Sequence, residues 1–205
     1  MSTDRRAGAN SSVPARGHDA TMSEIAERYR RVAARFTETV TGVPADAWSN
    51  PSPCEGWVAR DVVRHLLEWV PPFLAGGADM ASAPGPSVDD DPLGAWAALD
   101  GALQAVLDDP VASARPFSNP HTGHHRLDEA IARFVMNDVL VHTWDLARAT
   151  GQPEHLDPAE VHAMLAAVEP MGDTLSRSGH YDVPVSVAAG ADEQTRLLAA
   201  TGRRP

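Results

Sequence analysis

The chain has 205 residues and is 43% hydrophobic, so it is long and apolar enough to bury the core of one domain. Its formal net charge is −11, which argues against nucleic acid and anionic membrane surfaces as partners, because both select basic patches. The one cysteine, Cys54, excludes an internal disulfide and a cysteine-based zinc site and fits a reducing compartment.

The N-terminal segment, 1–20, is rich in Ser, Gly, Ala and Arg and has no hydrophobic periodicity, so it is predicted to be a disordered leader. No apolar stretch follows its arginines, and no window approaches the roughly 18 apolar residues of a membrane span. The sequence therefore predicts a cytoplasmic protein. A first helix is expected from a cap at Thr21 or Ser23 to Gly42.

A turn-rich segment containing Cys54 leads to a second predicted helix, about 58–73, which the prolines at 71–72 are expected to stop. A long loop, 75–92, separates it from a third helix, about 93–107. A second long loop, 108–125, leads to the fourth and longest helix.

The fourth helix is predicted over about 126–150, with Gly151 as its C-terminal cap. Asp157 then caps a fifth helix, with Pro158 at its first position and Glu160 completing a capping box. That helix is expected to end near residue 178.

The overall pattern indicates an all-α protein in which four main helices form a bundle. The predicted division is a helical bundle at 21–178 and a C-terminal extension, 179–205, packed on it. Within that extension the segment "YDVPVSV" suggests a short extended piece, and "DEQTRLLAATGRRP" suggests a last helical turn or two.

Three polar side chains interrupt apolar faces of the second and fourth helices. Asp138 and His142 are four residues apart, so they project together from the fourth helix, and His65 lies at the centre of an apolar stripe of the second. A buried carboxylate costs several kcal/mol unless it is paired or bound to a metal.

Two interpretations of these three residues are open. Two imidazoles and a carboxylate from facing helices are typical ligands for Zn²⁺, Ni²⁺, Fe²⁺ or Mn²⁺, and three protein ligands leave a position for substrate. The alternative is an Asp138–His142 hydrogen bond beside a core histidine, His65.

Three stretches, "WSNPSPCEGWVARDVVRHLLEW", "MNDVLVHTWDLARATG" and "RLLAATGRRP", together resemble the DinB-like metal-binding four-helix bundles of actinobacteria. The similar branch is the one related to mycothiol-dependent maleylpyruvate isomerase, and the resemblance covers about 22–205. It implies a DinB-like bundle in which His65, Asp138 and His142 hold a divalent metal, usually zinc or nickel.

The resemblance also implies mycothiol or a similar small thiol as cosubstrate, in a transferase or isomerase reaction on a small electrophile. In the isomerases that the chain resembles, the motif is Glu-x-x-x-His, whereas this chain has the shorter Asp138 at the position of the glutamate. The resemblance also implies that these isomerases use an arginine from the middle of the domain, whereas 79–114 here contains no Arg or Lys. A non-catalytic metal-binding or stress-related module is the alternative function.

Further candidates surround this trio in the sequence. Asp145 either orients a ligand histidine or pairs with Arg148 on the surface. Trp69 is expected in the core or in a pocket wall, and His125, from the cluster "HTGHH", is either solvated or close enough to touch a substrate. Cys54, just before the second helix, is either a reactive thiol or part of a turn in which Gly56 adopts a special backbone angle, and the turn is the favoured interpretation. A homodimer is an open alternative, because bundles with apolar outer faces often dimerise.

Overall fold

The computed structural model describes residues 16–80, 84–177 and 181–205. Four long helices dominate it, which confirms the all-α helical bundle. They are α1 (Arg16–Thr41), α2 (Ala59–Ala78), α3 (Pro92–Asp108) and α4, which runs over 127–150 as Leu127–Ala130, the π-helical Ile131–Met136 and Asn137–Thr150.

Each helix of the bundle packs on two others. Helices α1 and α2 both contact α3 and α4, which closes a four-helix arrangement around one core. Helix α1 starts at Arg16, earlier than the predicted caps at Thr21 or Ser23, and the first 15 residues of the predicted leader lie outside the described residues. Its apolar residues at steps of three and four, Tyr29, Val32, Phe36 and Val40, are buried.

Helix α2 does not stop at its two prolines, which corrects the predicted end at residue 73. Each proline removes one backbone hydrogen bond, worth about 1 kcal/mol. Val70 and Leu74, on either side of the prolines, are fully buried in the core. Burying such side chains gains about 1.5–3 kcal/mol each, so continuing the helix is favourable.

The predicted loop 108–125 contains regular structure, which is a second correction. A single helical turn, Pro110–Ser113, precedes an antiparallel hairpin of β1 (Pro116–Asn119) and β2 (Gly123–Arg126).

The hairpin depends on local turn chemistry and on one buried anchor. Gly123 has φ +86°, a conformation that favours glycine, and the Asn119 side chain accepts a hydrogen bond from the His121 backbone N–H at 2.9 Å. Phe117 is buried and attaches the hairpin to α2. Hydrophobic periodicity alone gave little sign of these short strands.

Helix α5 (Pro158–Val168) begins as predicted, because the Asp157 carboxylate accepts hydrogen bonds from the Ala159 and Glu160 N–H groups. The expected capping box does not form. The Glu160 carboxylate instead accepts two hydrogen bonds from the Arg28 guanidinium of α1, at 3.0 and 2.7 Å.

Helix α5 ends at Val168, not near residue 178. A 3₁₀ turn, Glu169–Met171, contains Pro170, and Gly172 follows with φ +48°, so the helix cannot continue regularly. A short helix, Asp173–Arg177, comes next.

The last helix, α6 (Glu193–Ala200), packs on α5. The predicted extended piece at 181–187 forms no paired strand within the described residues, although the Val185 N–H donates to the Ala199 carbonyl at 3.0 Å. Gly151 caps α4 with φ +71°, as predicted. No helix in the described ranges is long and apolar enough to cross a membrane.

Candidate metal site

Helices α2 and α4 bring His65, Asp138 and His142 together inside the bundle. The potential ligand atoms of the three side chains all lie within 4.8 Å of one another. His65 Nε2 is 3.3 Å from Asp138 Oδ2, and His142 Nε2 is 3.5 Å from Asp138 Oδ1. The sequence therefore identified three residues that share one site, and their role as metal ligands stays a prediction.

The chemistry and spacing of this trio fit a divalent transition metal. In a tetrahedral site with metal–ligand bonds of about 2.1 Å, neighbouring ligand atoms stand about 3.4 Å apart. Each histidine Nε2 lies about that far from the Asp138 carboxylate, His65 at 3.3 Å from Oδ2 and His142 at 3.5 Å from the other oxygen, Oδ1. Two imidazole nitrogens and one carboxylate oxygen suit zinc, nickel or iron better than calcium or magnesium.

The site is open on the side of His65. The His65 side chain is 26% exposed, whereas those of Asp138 and His142 are 3% exposed. Trp57 and Trp69 flank His65, with ring centroids 5.0 and 6.1 Å from its imidazole. A small molecule would therefore reach the trio across indole surfaces.

Trp69 also contacts the carboxylate of the trio directly. Its indole Nε1–H donates a hydrogen bond to Asp138 Oδ2 at 2.8 Å. A neutral donor at this distance fixes the orientation of the carboxylate and shields it from water. Trp69, expected in the core or a pocket wall, lies against the trio.

Asp145 lies behind His142, on the side away from Asp138. Its Oδ2 is 2.9 Å from His142 Nδ1, so the carboxylate accepts a hydrogen bond from the ring and leaves Nε2 directed at Asp138. The alternative surface pair does not form, because Arg148 pairs with Glu154 at 2.8 Å.

The electrostatics of this region favour positive charge at His142. Burial lowers the pKa of His142, but the nearby carboxylates of Asp138 and Asp145 outweigh burial and raise it to about 10. Burial likewise raises the pKa of Asp145, but His142 and Arg203 outweigh it and the net shift is downward. The two carboxylates thus place negative charge on both sides of the His142 ring.

Two residues of the site were not identified as such from the sequence. Arg203 is buried, and its Nη2 is 2.8 Å from Asp145 Oδ2. Cys54 Sγ lies 3.7 Å from the same Nη2 and 3.5 Å from Asp145 Oδ2. The predicted turn is present, since Gly56 has φ +77°. The sequence around Arg203 does not distinguish it from a surface arginine, because its burial depends on contacts that form only in the folded protein.

A second group of potential ligands consists of Cys54, His142 and Asp145, whose ligand atoms also lie within 4.8 Å of one another. The guanidinium of Arg203 already contacts Asp145 and Cys54. A metal ion there would stand beside a fixed positive charge. The trio that contains His65 is therefore the better candidate.

His125 lies apart from the trio, on β2. Its Nε2 is 2.7 Å from the Thr122 carbonyl, and its ring packs 5.5 Å from Phe134. Phe134 packs on Phe73 at 5.6 Å, and Phe73 packs on Trp69 at 5.3 Å. An aromatic row thus connects His125 with the trio, but the structure does not bring His125 into it.

Comparison with known proteins finds one matching family and similar mycobacterial proteins. A family model described as the mycothiol maleylpyruvate isomerase N-terminal domain matches residues 29–147, more than half of the chain. An uncharacterized protein of Mycobacterium tuberculosis, found in strains CDC 1551 / Oshkosh and ATCC 25618 / H37Rv, is 28% identical over 146 residues, covering 68% of this chain and 74% of the relative. No solved structure matches. The matched range includes the trio, whereas Arg203 lies beyond it.

Proposed function

Because the chain belongs to the family of the mycothiol maleylpyruvate isomerase N-terminal domain, we propose that it is a metal- and thiol-dependent enzyme. His65, Asp138 and His142 hold one divalent metal, zinc or nickel, and a small thiol of the mycothiol type is the cosubstrate. The reaction is thiol transfer to, or isomerisation of, a small electrophile. The reduced cytoplasm, where such thiols persist, is the compartment that fits this chemistry.

The observation that carries this proposal is the convergence of two imidazoles and a carboxylate from two helices, with potential ligand atoms within 4.8 Å of one another. Three protein ligands leave at least one position for another ligand, which is the usual arrangement of catalytic rather than structural sites.

A divalent metal at this position would lower the pKa of a thiol or polarise a substrate oxygen. The chain's own residues prepare the site for that chemistry. Asp145 holds His142 in one tautomer, and Trp69 orients Asp138. Burial, and then the charge of Asp138, raise the pKa of Tyr181 well above its usual range, so its phenol stays neutral near the site.

The first experiment is elemental analysis of the purified protein beside His65→Ala and Asp138→Ala. We expect about one equivalent of zinc or nickel in the parent and little in either variant. His121→Ala, which removes an exposed hairpin histidine, is the matched control and should retain the metal. Folded but metal-free parent protein from metal-replete medium would refute the proposal.

The second experiment separates thiol chemistry from a non-catalytic metal-binding module. Cobalt-substituted protein is titrated with a small thiol such as 2-mercaptoethanol, and its absorption spectrum is recorded. A new sulfur-to-cobalt charge-transfer band supports the enzyme. An unchanged spectrum at saturating thiol supports the module instead.

A further inference from the structure

We infer that the buried Arg203–Asp145 pair sets the net charge of the metal centre so that the centre accepts one monoanionic ligand. This inference rests on the proposed function, because it concerns the same site. It makes Arg203 a residue that determines the charge of the ligand without touching that ligand.

The contacts of Arg203 hold its charge in a fixed place. The Nε–H is 3.3 Å from both oxygens of the Asp145 carboxylate, Nη2 is 2.8 Å from Oδ2, and Nη1 donates to the Thr201 carbonyl at 2.9 Å. The Cys54 thiol donates to Asp145 and accepts from Arg203. Arg203 is 8% exposed and Asp145 is fully buried, so neither charge is screened as a surface charge would be.

The formal charges around the trio leave one positive charge uncompensated. Histidines bind metals in their neutral form, so His65 and His142 add no charge. The carboxylates of Asp138 and Asp145 contribute two negative charges, the Arg203 guanidinium contributes one positive charge, and a divalent ion contributes two. One monoanion, such as a thiolate, makes the set neutral, and neutrality is favoured because the charges of Asp138, Asp145 and Arg203 are buried and poorly screened.

The two members of the pair therefore have opposite effects on a bound anion. Without the charge of Arg203 the set is neutral before any anion binds, so the anion is held less tightly. Without the charge of Asp145 the set has two surplus positive charges, so the anion is held more tightly. Exposed pairs such as Arg148–Glu154 are screened and contribute little.

The test measures the affinity of azide, a plain monoanion, for the cobalt-loaded protein by visible absorption. We expect Arg203→Gln to weaken azide binding about tenfold and Asp145→Asn to strengthen it about tenfold. The double variant, which restores the charge count, should bind azide like the parent. Arg30→Gln, at the exposed Arg30–Asp108 pair, is the matched control and should leave azide binding unchanged.

Two further variants keep the inference testable if Arg203→Gln alone does not fold. Arg203→Lys and the double variant both keep the parent's charge count, so both should bind azide within about threefold of the parent. Equal weakening by Arg203→Lys and Arg203→Gln would assign the effect to hydrogen-bond geometry and overturn the charge inference. Shifts of both single variants in one direction would also overturn it. A parent that loads no cobalt would instead refute the proposed function itself.

Discussion

The indole N–H of Trp69 offers a test of how the candidate site is oriented. It donates to Asp138 at 2.8 Å, and Trp96 makes an equally short bond to Thr37 Oγ1 between α1 and α3. We expect Trp69→Phe to weaken metal binding about tenfold, because outer contacts of metal ligands are typically worth that much. Trp96→Phe, the matched control, should cost more than about 1 kcal/mol of stability, because it removes a hydrogen bond and leaves a cavity in the core, but it should leave metal affinity unchanged. Competition with a chromophoric chelator measures the affinities, and equal losses in both variants would contradict the assignment.

The titration of His142 predicts how the stability of the metal-free protein depends on pH. Despite burial, Asp138 and Asp145 raise the pKa of His142 from 6.5 to about 10. A raised pKa stabilises the fold fully below about pH 6.5, and that contribution is lost as the pH rises towards about 10. Urea unfolding in chelator should therefore show stability falling across this window. Asp138→Asn should flatten the fall, whereas His162→Gln, which removes an exposed histidine, should not. A flat profile for the parent would contradict the prediction.

At the scale of elements, two adjacent glycines of α2 predict opposite effects of the same substitution. A Cβ on Gly76 meets no atom within 4 Å, whereas a Cβ on Gly77 would overlap the buried ring of Phe117 from the hairpin. We expect Gly76→Ala to stabilise the protein by up to about 1 kcal/mol, because alanine favours helices. Gly77→Ala should destabilise it instead, by about 1–3 kcal/mol. Chemical unfolding of the pair tests whether the hairpin packs on α2, and stabilisation by both would show that it does not.

Elements differ in how far the sequence could predict them. The four long helices follow from apolar residues at steps of three and four, and Gly151 marks the end of α4 because its backbone conformation favours glycine. The continuation of α2 through its prolines could not be predicted, since it depends on burial of Val70 and Leu74 against other helices. The hairpin was missed because strands of four residues carry almost no periodic signal.

At the scale of the whole molecule, residues far apart in the chain meet behind the trio. His65 and Asp138 were identifiable because a polar group on an apolar helical face is unusual wherever it occurs. Arg203 was not, because it lies in a short tail where an arginine is ordinary, and only the fold carries it to Asp145. The sequence pattern thus identifies polar residues that stand on an apolar helix face. It does not identify residues whose burial depends on a partner that is distant in the sequence.

The ion pair that joins α5 to α1 also depends on a partner that is distant in the sequence. Arg28 binds Glu160 across the bundle surface, and the Glu160 side chain is 5% exposed, whereas Arg30, on the same helix, binds Glu27 and Asp108 in solvent. We expect Arg28→Met to cost about 2 kcal/mol, because it leaves a buried carboxylate poorly paired, and Arg30→Met to cost less than about 0.5 kcal/mol. Adding Glu160→Met to Arg28→Met should restore most of the loss, since removing both charges of a buried pair is often neutral. Urea unfolding of the single and double variants measures these differences. Equal costs for the two arginines would contradict the assignment of Arg28 as the main partner of Glu160, from which Arg31 is also 3.6 Å away.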